Sequence, residues 1–480
     1  MSDTARRDAL VIGGSAGGLI AAAYLARAGR SVTLLESGDG VGASHTGVTL
    51  QALDPQAVKD LKLVRQGIKF AARDVPLVGL SPDGRHLVIG RDVHAATRSI
   101  ATLSQGDAEA FAHFRREIFA LARALRPWWW EARESGNAMD LLANTAQRRL
   151  LAQLRVTSAA ALLDGWFESD LLKASLAFDV SSPFEAGSAL ALVWRAAQEM
   201  CGLQGAVAVP LGGMSAFGQI LMRTAQFAGA KLRTKARVAR LVLADDAVAG
   251  VELESGERIF APVVLSAVSR RATLLELAPP ASVGLAATQA LAHARRRIGE
   301  AVIDFTLNAP PSFTAQALPM SGRFVLAERL ENYAATGSAA RAGRLFDELV
   351  LEAIVPTHAD PGLAPLGQHI LSVRVRDLPV APAQGSEAMQ ARLLDKVIAM
   401  LDRQAPGLKT RIVGYEVRMP EPGGDLESAG RILAASGERI RTPIEGLLLC
   451  GSAAEPVSAV SGRAARFAAS MALHQLSRAP

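Results

Sequence analysis

Along the start of the chain the apolar pattern changes period in a fixed order. Residues 8–12 (DALVI) form a short apolar run of the kind that makes a buried parallel strand, and residues 13–18 (GGSAGG) are small and Gly-rich. Residues 19–29 (LIAAAYLARAG) carry helix formers up to a glycine, and residues 31–36 (SVTLLE) are a second β-branched, apolar run ending on an acid. Strand, tight turn, helix and strand are predicted in that order. Residues 77–204 read as mainly helical, with amphipathic stretches such as 107–133 (DAEAFAHFRREIFALARALRPWWWEAR). At 209–271, a turn at Gly212 and Gly213 leads to a helix ending near Gly229, then to strands near 237–243 and 249–254 with a turn at Ser255 and Gly256. Residues 272–436 begin with apolar helix and alternate short strands, such as 300–308 (EAVIDFTLN), with Pro-rich turns and a helix near 387–404. Residues 446–476 give an apolar strand, a Gly-Ser turn and an Ala-rich helix.

The opening unit supplies what a dinucleotide needs. Gly13, Ser15, Ala16, Gly17 and Gly18 make a turn that opens a helix, whose free N–H groups and dipole favour a pyrophosphate. Glu36, followed by Ser37, ends the next strand at about the twenty-residue offset at which a carboxylate meets ribose hydroxyls. An acid there favours a free 2′-hydroxyl, so FAD or NAD before NADP. The same letters contain Gly-x-Ser-x-Gly at 13–17, the pattern of a hydrolase nucleophile elbow, but no acid and His partner can be placed in order.

Composition removes other classes. The chain has 480 residues, half of them apolar, enough for two or three domains. Its 52 basic and 46 acidic residues leave a formal charge of +6, and the arginines are scattered among acids, which argues against a nucleic-acid partner. Cys201 and Cys450 form no CxxC pair, which fits a reducing, cytoplasmic location. The histidines show no metal-ligand spacing, so no metal is expected. Arg6 and Arg7 before the uncharged stretch 9–26 imitate a secretory signal, but the glycines there would weaken its helix. No stretch has the length and apolarity of a transmembrane helix. Trp128, Trp129 and Trp130 suit core packing at a helix end, or a substrate mouth or peripheral membrane contact.

Residues 8–43 (DALVIGGSAGGLIAAAYLARAGRSVTLLESGDGVGA) resemble the N-terminal signature of the phytoene dehydrogenase-related FAD-dependent oxidoreductases. Gly13, Gly18, Glu36 and Gly42 match, while Ser15 stands at the second glycine of the turn and Ala43 at the second of a later pair. Residues 209–271 resemble the family's second cofactor block, which implies main-chain contact of Val238 with adenine and a place for Ser266 and Ala267 near the dinucleotide. Residues 446–476 resemble the closing strand, turn and helix, with Gly451, Ser452, Pro456 and Gly462 matching. Glu455 replaces the usual His, and Val457, Ser458 and Ala459 replace a glycine-rich run.

The fold class so implied is α/β. A Rossmann-like FAD-binding domain in three blocks (1–76, 209–271 and 437–480) joins a mixed α+β substrate and cap domain (77–208, mainly helical, and 272–436, mixed). The resemblance implies FAD as cofactor and hydride transfer at flavin N5 on a hydrophobic small molecule, as a desaturation, saturation or double-bond isomerisation. It marks no catalytic acid or base. The altered motif positions also support a second reading, a non-catalytic relative that keeps the fold as a binding or scaffold protein.

Overall fold

Two sheets of different construction organise the chain in the computed structural model, which describes residues 7–41, 47–293, 298–420, 431–457 and 461–478. The first is five-stranded and parallel, in the order Leu447–Leu449, Val263–Ser266, Ala9–Ile12, Val32–Leu35, Lys231–Arg233. Its four inner and C-terminal strands are buried at every position, as expected of strands covered on both faces. One face packs against the first helix (Ala16–Arg27), the closing helix (Arg463–Arg478) and Gly213–Phe227, with Leu19, Ile20, Phe217 and Ala468 in that core. The other face carries a three-stranded antiparallel sheet, Val238–Ala244, Ala247–Leu253 and Arg258–Phe260. Leu10, Ile12 and Val264 meet Val238, Leu241 and Val251 there. This is the expected Rossmann-like α/β architecture.

The second sheet has seven strands, in the order Ile412–Arg418, Ile298–Leu307, His369–Pro379, Leu351–Ile354, Arg323–Leu326, Leu77–Leu80, His86–Ile89. Ile303, Phe305, Ala353, Val373 and Val375 point to one face, where Leu393, Val397 and Leu401 of the helix Ser386–Gln404 cover them. The helices between residues 93 and 197, including Gln105–Trp130, Asp170–Ala177 and Leu190–Ala197, enclose another core that reaches Val325, Tyr333 and Val350.

The helical reading of residues 77–204 fails at its start. Leu77–Leu80 and His86–Ile89 form a hairpin on this sheet, turned at Gly84 with φ +86°. Two apolar runs around Pro-Asp-Gly are a strand-turn-strand signal, and parallel pairing with Arg323–Leu326 fixes it. The tryptophans are core residues. Trp128 and Trp129 are buried and donate to the carbonyls of Leu433 (3.2 Å) and Ile432 (2.8 Å), which ties the helix Gln105–Trp130 to residues far along the chain. No described helix is long and apolar enough to cross a membrane.

Candidate cofactor cleft and the charged sheet beside it

The parallel register brings the carboxyl ends of four strands level: Ile12 pairs with both Leu35 and Ser266, and Ser266 with Leu449. Open α/β sheets bind ligands in the crevice outside such ends, where strand order reverses. Here the chain leaves Ile12 through Gly13 at φ +94°, a conformation natural to glycine, and starts the first helix at Ala16. Ser15 occupies the N-cap position, but its side chain makes no bond to the first turn, and no acid lies there. Helix starts normally satisfy their free N–H groups with a side chain, water or ligand, so this uncapped end suits an anion.

The small residues set how closely the walls approach. A Cβ on Gly18 would lie 2.0 Å from the Gly13 carbonyl oxygen, and one on Gly17 would lie 2.5 Å from the Cys450 oxygen. Gly451 lies equally close to Ala267, 2.3 Å from a built Cβ to its carbonyl oxygen, while a Cβ on Gly462 would meet Ile20 at 2.4 Å. Ala16 is buried. First helix, strand end and closing segment therefore share one crowded seam.

Glu36 reaches back across the turn. One carboxylate oxygen accepts from the Gly14 N–H at 2.7 Å; the other accepts from Gly38 N–H at 2.8 Å and the Ser37 hydroxyl at 3.1 Å. The segment before Val238 lies alongside, with Ala236 N–H donating to the Glu36 carbonyl and Lys235 N–H to that of Gly38. Val238 is buried with Ile12 and Leu35. Ser266 is buried and shares a 2.7 Å hydrogen bond with Thr273, and Ala267 N–H donates to the Ile12 carbonyl. Ser452 is exposed at the start of a short turn, Ser452–Ala454. The structure thus brings Gly13, Ser15, Ala16, Gly17, Gly18, Glu36, Ser37, Val238, Ser266, Ala267, Gly451, Ser452 and Gly462 to one end of the sheet. Gly42, Ala43, Ser458 and Ala459 lie outside the described residues.

The closing helix differs from the first in holding its own anion. Glu455, buried, accepts from Ala464 N–H at 3.0 Å and from the Ser461 hydroxyl. Arg463 is buried with its guanidinium 4.9 Å from the Trp130 ring, and Arg439 donates to the Ala454 carbonyl. Burial pushes Arg439 down to about 10, opposed by the carboxylate of Glu455. Replacement of the expected His by Glu therefore builds a helix cap, with cations around it.

A second polar centre escaped the motif reading. Arg323, almost wholly buried, donates through Nε to Glu352 (2.6 Å) and through Nη1 to Asp179 (3.0 Å). Arg195 and Arg374 stand 3.6 and 3.9 Å from Asp179, and Gln51 donates to Asp179 at 3.1 Å. Burial alone would raise the Asp179 carboxyl; Arg323, then Arg195 and Arg374, outweigh it and hold it far below the ordinary range. Alternation in 372–377 (SVRVRD) was the available signal, because charges at every second position of an apolar strand demand a polar face.

Residues 8–352 match the family described as DAO, FAD dependent oxidoreductase. A rat protein, "Pyridine nucleotide-disulfide oxidoreductase domain-containing protein 2", is 28% identical over 98% of this chain and 94% of its own length. A phytoene desaturase (neurosporene-forming) of Cereibacter sphaeroides is 23% identical over 95% of this chain and 92% of its own. Among solved structures, putrescine oxidase bound to putrescine aligns over 99% of this chain and 100% of its own, with a TM-score of 0.65 at 17% identity, a likeness of fold. With the family match spanning well over half the chain, and the strand ends, uncapped helix and Glu36 in place, the chain belongs to the FAD dependent oxidoreductases.

Proposed function

We propose that the chain holds FAD across the carboxyl ends of the parallel strands and oxidises or reduces a small molecule with an apolar body. Residues 1–76, 209–271 and 437–480 together form the binding domain. The observation that carries this reading is the uncapped start of the first helix, level with Glu36 on the neighbouring strand. Backbone N–H groups at Ser15–Gly18 bond the pyrophosphate, Glu36 and Ser37 the ribose, and the main chain at Val238 the adenine; Ser266 and Ala267 close the floor. Each Glu36 oxygen can accept further hydrogen bonds beside those it already receives. Gly451, Ser452 and Gly462 border the other half of the cofactor. Bound FAD supplies a two-electron hydride acceptor or donor; the protein orients the reacting carbon and excludes water. Desaturation, saturation or isomerisation of a double bond are the reactions most in keeping with the likeness to phytoene desaturase.

The non-catalytic alternative loses its main support, because two altered positions are built into the cleft: Glu455 caps the closing helix and Ser15 opens the first. The test is reconstitution. Purified protein titrated with FAD is expected to take up one equivalent, with a shifted visible flavin spectrum and a melting-temperature rise that follows ligand saturation. Protein that gains neither at saturating FAD refutes the reading.

A further inference from the structure

The seven-stranded sheet has one apolar face, covered by the helix Ser386–Gln404, and one charged face. In register on the charged face, Glu352 lies opposite Arg374, Arg374 opposite Val302, and Ser372 opposite Asp304. Glu300 and Arg376 extend it. This face adjoins the cofactor cleft through a short segment. Gln51 bonds Asp179, and three residues on, Asp54 N–H donates to the Ser461 carbonyl while its carboxylate holds Arg466 of the closing helix at 2.6 Å. Three extended residues span only about 10 Å.

The arginines on and beside this face differ in how fully their donors are met. Arg323 donates from all three of its nitrogens, to Glu352 through Nε and to Asp179 through both Nη atoms. Arg376 donates to the carbonyls of Phe178 and Ser181, and Arg195 to those of Gln51, Gly205 and Ala206. Arg374 donates no hydrogen bond among the described residues. Carboxylates of Glu352, Glu300 and Asp179 stand 3.5, 3.8 and 3.9 Å away, supplying charge balance without a bond; its Nε is buried without a partner, as are those of Arg195 and Arg376, but unlike theirs its terminal nitrogens donate no hydrogen bond among the described residues either. A guanidinium has five donors in a fixed fork, and leaving buried donors unmet is costly. The Phe178 ring lies 4.8 Å from it, steadying the plane, and the side chain keeps 23% of its exposure. Glu300, placed between Arg374 and Arg376 at 3.8 Å from each, accepts no hydrogen bond among the described residues.

We infer that Arg374 binds the carboxylate head group of an otherwise apolar substrate and so determines specificity at this site, an inference that rests on the proposed FAD-dependent reading for what the site then does. A planar fork bonds a carboxylate through two parallel N–H···O contacts, which neither an alcohol nor an ammonium reproduces. A purely hydrocarbon substrate would leave the guanidinium edge unmet. Glu300 lowers the attraction for an anion by its own charge, so its removal strengthens the site.

The experiment compares three six-carbon probes on FAD-loaded protein: hexanoate, hexanol and hexylamine. Binding is read by calorimetry, by melting temperature and by perturbation of the flavin spectrum. Hexanoate is expected to bind at least about tenfold more tightly than either analogue. Arg374→Gln removes that preference and leaves hexanol and FAD affinities within about twofold, whereas Glu300→Gln tightens hexanoate. Arg374→Lys, which keeps the charge and loses the fork, falls between. Equal hexanoate binding by wild type and Arg374→Gln, with both melting as folded proteins, overturns the inference, as does a preference for hexylamine. Should wild type take up no FAD, the cofactor reading fails separately, and hexanoate binding to the apo chain still decides the role of Arg374.

Discussion

The two ends of the molecule's polar machinery are built by opposite means. At the parallel sheet, close approach is achieved by removing side chains: Gly17, Gly18 and Gly451 bring backbone against backbone, and Glu36 is the one carboxylate that reaches across the turn. On the seven-stranded sheet nothing is removed. Arg323, Glu352 and Arg374 are brought together by the sheet register, and Asp179, just beyond the helix Asp170–Ala177, joins them to fill the space with charge. The first arrangement offers backbone donors to any phosphate-bearing ligand; the second offers one unmet guanidinium to a particular head group.

The strongest way to break the first arrangement is to restore a side chain. Gly18→Ala puts a methyl 2.0 Å from a backbone oxygen, so the first helix must move off its strand, and a loss of about 4 kcal/mol or more is expected in denaturant unfolding. Gly40→Ala, with open space around it, is the control and is expected to be neutral. Similar midpoints for the two variants contradict the packing described.

The charged arrangement is broken by removing one partner. Asp179→Asn removes one of the two carboxylates paired with Arg323 and leaves Glu352 as its anionic partner, and is expected to cost about 3 kcal/mol at neutral pH. Its folded-state carboxyl lies below the unfolded value of about 3.9, so its contribution is complete above that value and is lost as pH falls towards the folded one. Stability curves of wild type and variant should therefore converge in acid. A gap that stays constant with pH shows that Asp179 acts by shape alone.

The smallest effect concerns Ser15. Because its side chain makes no bond to the first turn, Ser15→Ala is expected to change apo stability by less than about 0.5 kcal/mol. Ser158→Ala, which removes a cap bond to Ala161 N–H at 3.1 Å, should cost about 1 kcal/mol. A larger cost at Ser15 means that its hydroxyl already serves the helix.

These contrasts also explain what could be read from sequence. The cleft was legible because its parts are local: a strand, Gly13 to Gly18, a helix and Glu36 follow one another within a few turns of chain. The role of Glu36 was read only in half. Its bonds to Gly14 and Gly38 N–H make it part of the turn as well as the proposed ribose ligand, so its removal weakens the apo fold too. Glu455 looked like an intruder in a motif, because the Ala464 N–H it caps is defined only once the closing helix is placed. The hairpin at 77–89 was absorbed into a helical region because its partner strand, Arg323–Leu326, lies far along the chain. Arg374 could not be singled out at all. Alternation in 372–377 shows that it shares a face with Arg376, but only the register with 300–304 and 351–354 shows which acids stand near it.

The central claim is this division of labour, cofactor on one sheet and substrate head group on the other. It is tested most directly by FAD affinity measured calorimetrically for wild type, Glu36→Ala and Arg374→Gln. Glu36→Ala is expected to lose at least about tenfold in affinity, roughly 1.4 kcal/mol, through the ribose bonds and the turn that Glu36 braces, while Arg374→Gln stays within about twofold of wild type. Unchanged affinity in Glu36→Ala, or a tenfold loss in Arg374→Gln, contradicts it.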